Sequence, residues 1–494
     1  MDALLKPLWS DWRMSLAVAV VAAGAAGWVN AWLMPRGPVT SSQALLAMGI
    51  ALGVGVVAGL VMGSRWSILV APVIFMAVFE FARSGTDGPT VDGLHLNSTY
   101  GILAFVLGRG VQGVLVLVPM MLGTVYGIWI ASRLGHATAP RTSTVGWVFT
   151  GLLTAALMAL AIAISRPATT AAIPGPDGKP LPGSIAELIT VRIGGHEQAM
   201  MIRGRSVESP VLLYLAGGPG GTDLGAMRAD TALEQDFVVV TWDQRGSGKS
   251  YSALDPVQTL TVSQMVADTI EITDYLRDRF DEDKIYLVGN SWGTLLGVLV
   301  VQERPDLFHA FIGTGQMVSP RETDRMFYED TLAWADQTGN KSLAATLRKN
   351  GPPPYGDLLE YEPALSYEHE WNAYPELDTS KEMPANLFVP ENTLMDRING
   401  LRAFLDTFSV LYPQLQNIDF RSDVPKLDIP VYLVIGKHEA RGRAVLANEW
   451  FEILEAPSKE MLVFEHSGHR PLFEEPAEFA ALMKRVLRAT YESS

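Results

Sequence analysis

The 494-residue sequence contains no cysteine. Disulfide bonds are therefore excluded, but a disulfide-free domain can lie on either side of a membrane, so this absence does not decide the compartment. The sequence also has no repeat of fixed period and no long low-complexity tract, which argues against a repeat architecture. Its length favours two or three folding units.

Charged residues are scarce in the first third of the chain. Residues 1–165 hold only eight of the 38 Lys and Arg residues, and five of the 53 Asp and Glu residues. A nearly uncharged, apolar front is therefore joined to an acidic remainder with the composition of an ordinary globular domain.

Long apolar runs fill that front, each near the ~20 residues that a bilayer-spanning helix needs. Helices buried in a soluble core usually keep a polar face, whereas these runs are apolar all round. A cleavable signal peptide would be a single short run followed by polar sequence. We therefore expect residues 1–165 to form a retained transmembrane domain of about five helices. The five runs are Met14–Met34, Gln43–Gly63, Trp66–Ala82, Val111–Ala131 and Val145–Ile164.

Two of these runs leave the number of spans open. The third is short and contains Glu80, and the fourth contains Pro119 and follows a second apolar patch at Tyr100–Leu107, so four or six spans are alternatives. With the N-terminus inside, the inner loops carry five Lys and Arg residues against four outside, a weak majority by the positive-inside rule. An odd number of spans then predicts a multi-pass protein of the cell membrane whose C-terminal domain is extracytoplasmic.

A linker and an α/β domain follow the apolar front. Residues 166–184 are rich in Pro and Gly, and from residue 185 short β-rich segments alternate with longer helical patterns. This alternation is typical of a mainly parallel sheet covered by helices. It is interrupted at residues 317–417 by helical, aromatic and acidic sequence, and it resumes over residues 418–494. An insertion at this position is expected to form a lid above the site.

The strongest chemical signal is Gly289-Asn290-Ser291-Trp292-Gly293, a G-x-S-x-G between a predicted strand and a predicted helix. The turn is so sharp that only glycine fits on either side of the serine, and its strain pushes the hydroxyl out above the sheet. Ser291 is therefore predicted to be a nucleophile.

A serine hydroxyl needs a base within hydrogen-bond reach, and the base needs a carboxylate to fix its tautomer. His469 lies in the loop after the last predicted strand, where an α/β-hydrolase fold places its base; His438 and His466 are the competing candidates. Glu439 is the first acid after the strand that ends at Ile435. Serine, acid and histidine then follow in the chain order that the fold demands.

An oxyanion hole requires two backbone N–H groups directed at the developing negative charge. One is expected from Trp292, directly after the nucleophile. The other is expected from the glycine-rich loop at residues 216–221, at Gly218.

Taken together, LAGGPGG (215–221), TWDQRGSGKS (241–250) and GNSWGT (289–294), with GKHE and SGH downstream, resemble the proline iminopeptidases. The resemblance covers about residues 185–490 and none of the apolar front. It implies an α/β-hydrolase fold with a helical lid insertion, and a serine aminopeptidase with Ser291, His469 and Glu439 as its triad. It also implies oxyanion amides at Gly218 and Trp292.

The same resemblance makes Asp243 and Arg245 part of a structural turn without a chemical role. Two positions depart from the family pattern. Ala216 stands where the family usually has histidine, and Glu439 stands where it usually has aspartate. Glutamate is one methylene longer but can perform the same task, so this second departure shifts the geometry without removing the function.

In this family lid carboxylates hold the protonated amino terminus of the substrate, and charge pairing in a partly enclosed site supplies the specificity. The candidates in the first lid helix are Glu322, Asp324 and Glu329, of which Glu322 and Glu329 share a helix face. The expected partners are a small peptide or amino-acid derivative and the lipid bilayer. No metal, organic cofactor or nucleic acid is expected.

Two alternatives remain open. An esterase or acyl-transfer enzyme acting on lipid-like substrates would be favoured by a lid with an apolar inner face. A non-catalytic membrane sensor whose hydrolase domain only binds a ligand would not require serine, histidine and acid together.

Overall fold

The computed structural model describes residues 7–136, 143–356, 358–379 and 383–491. Tertiary contacts divide the chain into two compact units, Met1–Pro167 with Thr393–Ile398, and Ala168–Asn392 with Asn399–Ser494. Residues 393–398, which the sequence placed in the insertion, therefore group with the first unit. Each unit has its own hydrophobic core.

The first unit is made of apolar helices. Among the described residues, four helices are long and apolar enough to cross a membrane, and a fifth, α3, has only 16 residues. At 1.5 Å per residue α3 measures about 24 Å, less than the ~30 Å of a hydrocarbon core. The helices of 16 or more residues in the described part of this unit are α1 (Trp12–Leu33), α2 (Ser41–Met62), α3 (Ser67–Ala82), α4 (Thr99–Arg133) and α5 (Thr144–Ser165).

The structure gives four candidate spans rather than the expected five because α3 is short, and it removes the alternative of six because helix α4 is longer than its apolar run. The patch at Tyr100–Leu107 and the run at Val111–Ala131 belong to one continuous helix, which includes two π-helical segments. Arg109 separates the two apolar stretches in the sequence, but its guanidinium pairs with Glu80 at 3.1 Å. An ion pair of this kind allows a charged residue to lie within an otherwise apolar helix.

Helices α2 and α4 approach each other closely through small residues. A Cβ added at Gly55 would lie 2.0 Å from the Met120 carbonyl oxygen, and one at Gly123 would lie 2.1 Å from the Leu52 carbonyl oxygen. The two backbones are therefore in direct contact, as small residues permit in membrane helix pairs.

The second unit is built on one eight-stranded sheet with the order β1-β2-β4-β3-β5-β6-β7-β8. Strands β3 to β8 pair in parallel, whereas β1 and β2 form an antiparallel hairpin and β2 pairs antiparallel with β4. The sheet is therefore mixed. The strands are β1 (Ile185–Ile193), β2 (His196–Gly204), β3 (Val211–Leu215), β4 (Val238–Trp242), β5 (Ile285–Asn290), β6 (Phe308–Thr314), β7 (Val431–Gly436) and β8 (Lys459–Phe464).

Every residue of β3, β4, β5 and β7 is buried. This burial fits near-continuous apolar strands that are covered on both faces. The helices of this part of the unit are α6 (Leu224–Ala229), α7 (Val262–Phe280), α8 (Trp292–Glu303), α15 (Phe420–Asp423), α16 (Arg441–Ile453), α17 (Pro471–Glu474) and α18 (Pro476–Tyr491). Short 3₁₀ segments lie at Leu233–Gln235, Gly248–Leu254, Val257–Thr259, Pro305–Leu307 and Tyr412–Asn417.

Between β6 and β7 the chain forms a helical insertion. Its helices are α9 (Pro320–Thr338), α10 (Lys341–Asn350), α11 (Leu358–Leu365), α12 (Glu368–Trp371), α13 (Met383–Leu387) and α14 (Leu394–Leu411).

Helix α9 attaches the insertion to α16. Its buried face repeats every four residues through Thr323, Phe327 and Thr331, as expected for one side of an α-helix. The Thr323 hydroxyl donates to the Gly442 carbonyl at 3.1 Å, and a Cβ at Gly442 would lie 3.3 Å from the Phe327 ring. This contact places the insertion beside the loop that follows β7.

Candidate active site

Ser291 occupies a sharp turn between β5, which ends at Asn290, and α8, which begins at Trp292. Its backbone has φ 52° and ψ −120°, a conformation that residues with a side chain rarely adopt and that often marks a functional site. A Cβ at Gly289 would lie 2.4 Å from the Gly293 carbonyl oxygen, and one at Gly293 would lie 2.1 Å from that of Leu215. Both flanking positions therefore require glycine.

Two segments pack directly against Ser291. A Cβ at Gly217, in the glycine-rich loop, would lie 3.3 Å from the serine Cβ. Met317, at the start of the insertion, places its Sδ 3.8 Å from Ser291 Oγ. Thr294 fixes this arrangement, because its hydroxyl donates to the Ser291 carbonyl at 2.6 Å and accepts from the Met317 amide at 3.0 Å.

His469 and Glu439 come together at the ends of β8 and β7. The distance from His469 Nδ1 to Glu439 Oε2 is 2.8 Å. The second carboxylate oxygen accepts from the Ala440 amide at 2.8 Å and from Arg443 Nε at 2.7 Å. Burial alone would raise the pKa of Glu439, but the charges of Arg443 and His469 and their hydrogen bonds outweigh it and lower the pKa to about 2. An ionised acceptor holds the proton on Nδ1 and leaves Nε2 as the basic atom.

The backbone of His469 contacts the serine turn, and its ring lies beside the residue that follows β6. The His469 carbonyl accepts from Asn290 Nδ2 at 3.3 Å, and a Cβ at Gly315 would lie 2.8 Å from His469 Nδ1. Within the described residues no hydrogen bond joins Ser291 Oγ to the imidazole. Nucleophile and base often form this bond only in the substrate complex.

The rings of the two competing histidines, His438 and His466, contact other residues than Glu439. The His438 ring stacks on Tyr374 with centroids 4.8 Å apart, and its amide donates to the Ser467 carbonyl. The His466 ring is largely exposed and lies 3.4 Å from a carboxylate oxygen of Glu376. Of the three candidates, His469 is the one whose ring binds Glu439.

Gln244 connects the two segments expected to supply the oxyanion amides. Its Nε2 donates to the Ala216 carbonyl at 3.0 Å, and its Oε1 accepts from Trp292 Nε1 at 2.9 Å. The side chain is buried, so both bonds are made away from solvent. Sequence reasoning overlooked Gln244, although it stands inside the DQRG motif that carried the resemblance.

The glycine-rich loop is covered by helix α14 of the insertion. Gly218 has φ +125° and Gly220 has φ +90°, which favour glycine, and a Cβ at Gly220 would lie 2.4 Å from the Ala403 carbonyl oxygen. The Thr407 hydroxyl donates to the Gly246 carbonyl at 2.7 Å. Helix α14 therefore restricts both the loop after β3 and the loop after β4.

Asp243 and Arg245 make contacts within the fold. Asp243 accepts from the Thr222 hydroxyl at 2.6 Å and from the Lys249 amide at 2.8 Å. Arg245 forms a fully buried ion pair with Asp268, with its Nε 2.7 Å from a carboxylate oxygen. These contacts agree with the structural turn that the resemblance implied.

Glu322 and Glu329 do not have the surroundings expected of residues that bind a substrate ammonium. A carboxylate oxygen of Glu322 lies 2.9 Å from an Nη of Arg421. Glu329 pairs with Arg325 at 2.8 Å and with Arg441 at 3.3 Å. A substrate would have to compete with a resident arginine at either position. The spacing along α9 puts the two glutamates on one helix face, but it could not show Arg421 and Arg441, which come from distant parts of the chain.

Asp324, the third acid of this helix, is buried. It accepts from the Tyr412 hydroxyl at 2.5 Å and from Gln416 Nε2 at 2.9 Å. Burial raises its pKa to about 7, against the lowering effect of these hydrogen bonds. Aromatic contacts link rings on α14, on α11 and in the segments next to them, between the pairs Phe404–Phe408, Phe408–Tyr412, Tyr412–Tyr361 and Tyr361–Tyr355.

Comparisons with known proteins agree with the fold of the second unit. A family model described as the alpha/beta hydrolase fold matches residues 210–476. The chain is 33% identical over 312 residues to a probable aminopeptidase, YbaC, of Bacillus subtilis, covering 62% of this chain and 97% of that protein. It is 24% identical to a putative carbamate hydrolase, RutD, of Enterobacter cloacae, covering 58% and 94%. It is 23% identical to a proline iminopeptidase of Heyndrickxia coagulans, covering 57% and 91%.

Proposed function

This chain belongs to the alpha/beta hydrolase fold family, and we propose that it is a membrane-anchored serine aminopeptidase similar to the proline iminopeptidases. The relatives named aminopeptidase and proline iminopeptidase support a peptidase, and they match nearly their whole length. The observation that carries the proposal is the 2.8 Å contact between His469 and an ionised Glu439 beside the Ser291 turn. A non-catalytic binding domain would not require these three residues together.

The proposed reaction proceeds through an acyl-enzyme. Ser291 Oγ attacks the carbonyl carbon of the N-terminal residue while His469 Nε2 takes the hydroxyl proton. The oxyanion accepts hydrogen bonds from the amides of Gly218 and Trp292, and Glu439 stabilises the imidazolium. The imidazolium then gives its proton to the leaving amine as the C–N bond breaks. Water, deprotonated by His469, hydrolyses the ester and releases the amino acid and Ser291.

The membrane anchor belongs to the same proposal. Four helices of the first unit have the length and apolar character of membrane spans. We propose that this unit holds the hydrolase at the cell membrane. We also propose that the shorter α3 crosses as a fifth span, which places the second unit on the extracytoplasmic side when the N-terminus lies inside.

An esterase acting on apolar acyl groups is the second candidate. The observation that favours it is the presence of resident arginines beside Glu322 and Glu329, which weaken the case for ammonium recognition at those positions.

Substrates that differ only in the charge of the amino terminus separate the two candidates. The purified full-length protein is assayed against prolyl- and other aminoacyl-naphthylamides, their N-acetylated counterparts and short acyl esters, with Ser291→Ala as the blank. An aminopeptidase cleaves the free amines and discriminates against the acetylated forms. Equal rates on free and blocked substrates, or turnover of esters alone, would reject the aminopeptidase in favour of the esterase.

A further inference from the structure

Arg443 joins the acid of the candidate triad to a carboxylate of the insertion. Its Nε donates to Glu439 at 2.7 Å, and one of its Nη groups binds Glu368 on helix α12. The side chains are 2% (Glu439), 10% (Arg443) and 20% (Glu368) exposed. These charges therefore interact where solvent screens them weakly.

The insertion holds this arrangement at two further points. The Arg443 guanidinium lies over the Phe327 ring of α9, 4.7 Å from its centroid, and the pair adds a cation–π contact. Asn372, directly after α12, donates its Nδ2 to the His438 carbonyl at 2.8 Å. Contacts from the insertion therefore lie on both sides of Glu439 in the chain.

We infer that Arg443 is a positioning residue for the triad, and that Glu368 sets how strongly Arg443 holds Glu439, so that docking of α12 tunes the basicity of His469. The inference rests on the proposed hydrolysis by Ser291, His469 and Glu439. It goes beyond that proposal because it gives the insertion a role in the chemistry of the base, separate from any role in substrate binding.

The direction in which each residue changes the basicity of His469 follows from the alternating charges of Glu439, Arg443 and Glu368. Arg443 offsets part of the Glu439 charge, so its removal makes the surroundings of His469 more negative and favours the imidazolium. Glu368 offsets part of the Arg443 charge, so its removal has the opposite effect. A lost packing contact would give no such reversal.

The other charged and titratable groups around His469 remain the same in every variant compared below. They are Glu474, Arg470, Asp223, Tyr374, His438, Glu475 and His466.

The test follows how fast a fluorophosphonate probe labels Ser291 in the full-length protein as a function of pH. The rate should fall at acid pH as His469 becomes protonated. In Arg443→Gln the acidic limb of the plot of labelling rate against pH should move to higher pH by at least about 0.5 pH unit. In Glu368→Gln the same limb should move to lower pH by a similar amount. Arg443→Lys keeps the charge and should stay within about 0.2 pH unit of the wild type.

Arg441→Gln is the matched control. Arg441 lies on the same helix as Arg443, but its side chain is 48% exposed and pairs with Glu329 and Asp330. The same loss of charge at this screened position should leave the limb unmoved.

Limbs that stay in place in both Arg443→Gln and Glu368→Gln, or that move in the same direction, would overturn the inference. If Arg443→Gln does not fold, Glu368→Gln and Arg443→Lys decide the question. A wild-type protein that does not label at all would overturn the triad and the inference with it, whereas a reactive wild type with unshifted variants would overturn the inference alone.

Discussion

At the residue scale, Ser291 and His469 are expected to act as one unit. Ser291→Ala and His469→Ala should each lower turnover by several orders of magnitude, because either change removes the activated nucleophile. His438→Ala and His466→Ala should be much milder, since their rings face Tyr374 and Glu376. Steady-state rates of the four variants check this, with circular dichroism as the control for folding. A greater loss of turnover in His466→Ala than in His469→Ala would show that His466, and not His469, is the base.

Glu439→Gln isolates the charge of the triad acid. The amide keeps the size of the side chain but no longer stabilises the imidazolium, so turnover should fall by on the order of 10²–10⁴-fold. Near-normal turnover would mean that another group supplies the negative charge.

The free energy of unfolding at acid pH depends on the same carboxylate, that of Glu439. Against burial, Arg443 and His469 lower the pKa of Glu439 from 4.5 to about 2, so the folded state binds the proton less readily than the unfolded state. The contribution of this group to stability is full above about pH 4.5 and is lost as the pH falls towards about 2. Chemical denaturation at several pH values should show this loss in the wild type, and a smaller one in Glu439→Gln. Parallel curves for the two proteins would contradict it.

Candidate site residues could be predicted from the sequence where one strand or turn defines their position. Ser291, Glu439 and His469 each follow the end of a strand, and the chain order of the fold then orders them. Gln244 and Arg443 are different, because their roles appear only when distant segments meet. Gln244 links Ala216 to Trp292, and Arg443 links Glu439 to Glu368. Arg443 did carry one local signal, its position four residues after Glu439 at the start of a helix.

At the scale of elements, the buried parallel strands could be predicted, whereas the antiparallel edge could not be inferred from the α/β alternation alone. Strands β1 and β2 are joined by Gly194 and Gly195, with φ of +54° and +80°. Two residues of positive φ between strands are the signature of a tight hairpin turn. This signal was present in the sequence, and it explains why the sheet is mixed rather than wholly parallel.

Close contact between α2 and α4 gives an element-scale prediction. Gly55→Ala would place a Cβ 2.0 Å from the Met120 carbonyl oxygen, whereas Gly53→Ala, on the same helix, meets no atom within 4 Å. Gly55→Ala should therefore destabilise the first unit by about 1–3 kcal/mol, as overpacking does, and Gly53→Ala should not. Thermal unfolding of the detergent-solubilised protein measures both. Equal melting temperatures for the two variants would show that the helices do not meet at Gly55.

At the scale of the whole molecule, hydropathy identified the apolar front but not its number of spans. The uncertainty has a physical origin in α3, whose ~24 Å length lies below the ~30 Å hydrocarbon core, so that spanning requires local thinning of the bilayer. If α3 crosses, the chain has five spans and its two ends lie on opposite sides. If α3 does not cross, four spans return the second unit to the side of the N-terminus.

The absence of cysteine makes this alternative directly testable. Ser10 precedes α1 and Ser342 lies on α10, and both are exposed, so Ser10→Cys and Ser342→Cys each introduce a single reactive thiol without a background. We expect a membrane-impermeant maleimide to label Ser342→Cys in intact cells or spheroplasts, and to label Ser10→Cys only after permeabilisation. Both variants should label equally in detergent, which controls for thiol reactivity. If Ser342→Cys also required permeabilisation, the second unit would face the cytoplasm and α3 would not span the membrane. The substrates of the enzyme would then be cytoplasmic peptides or esters rather than molecules outside the cell membrane.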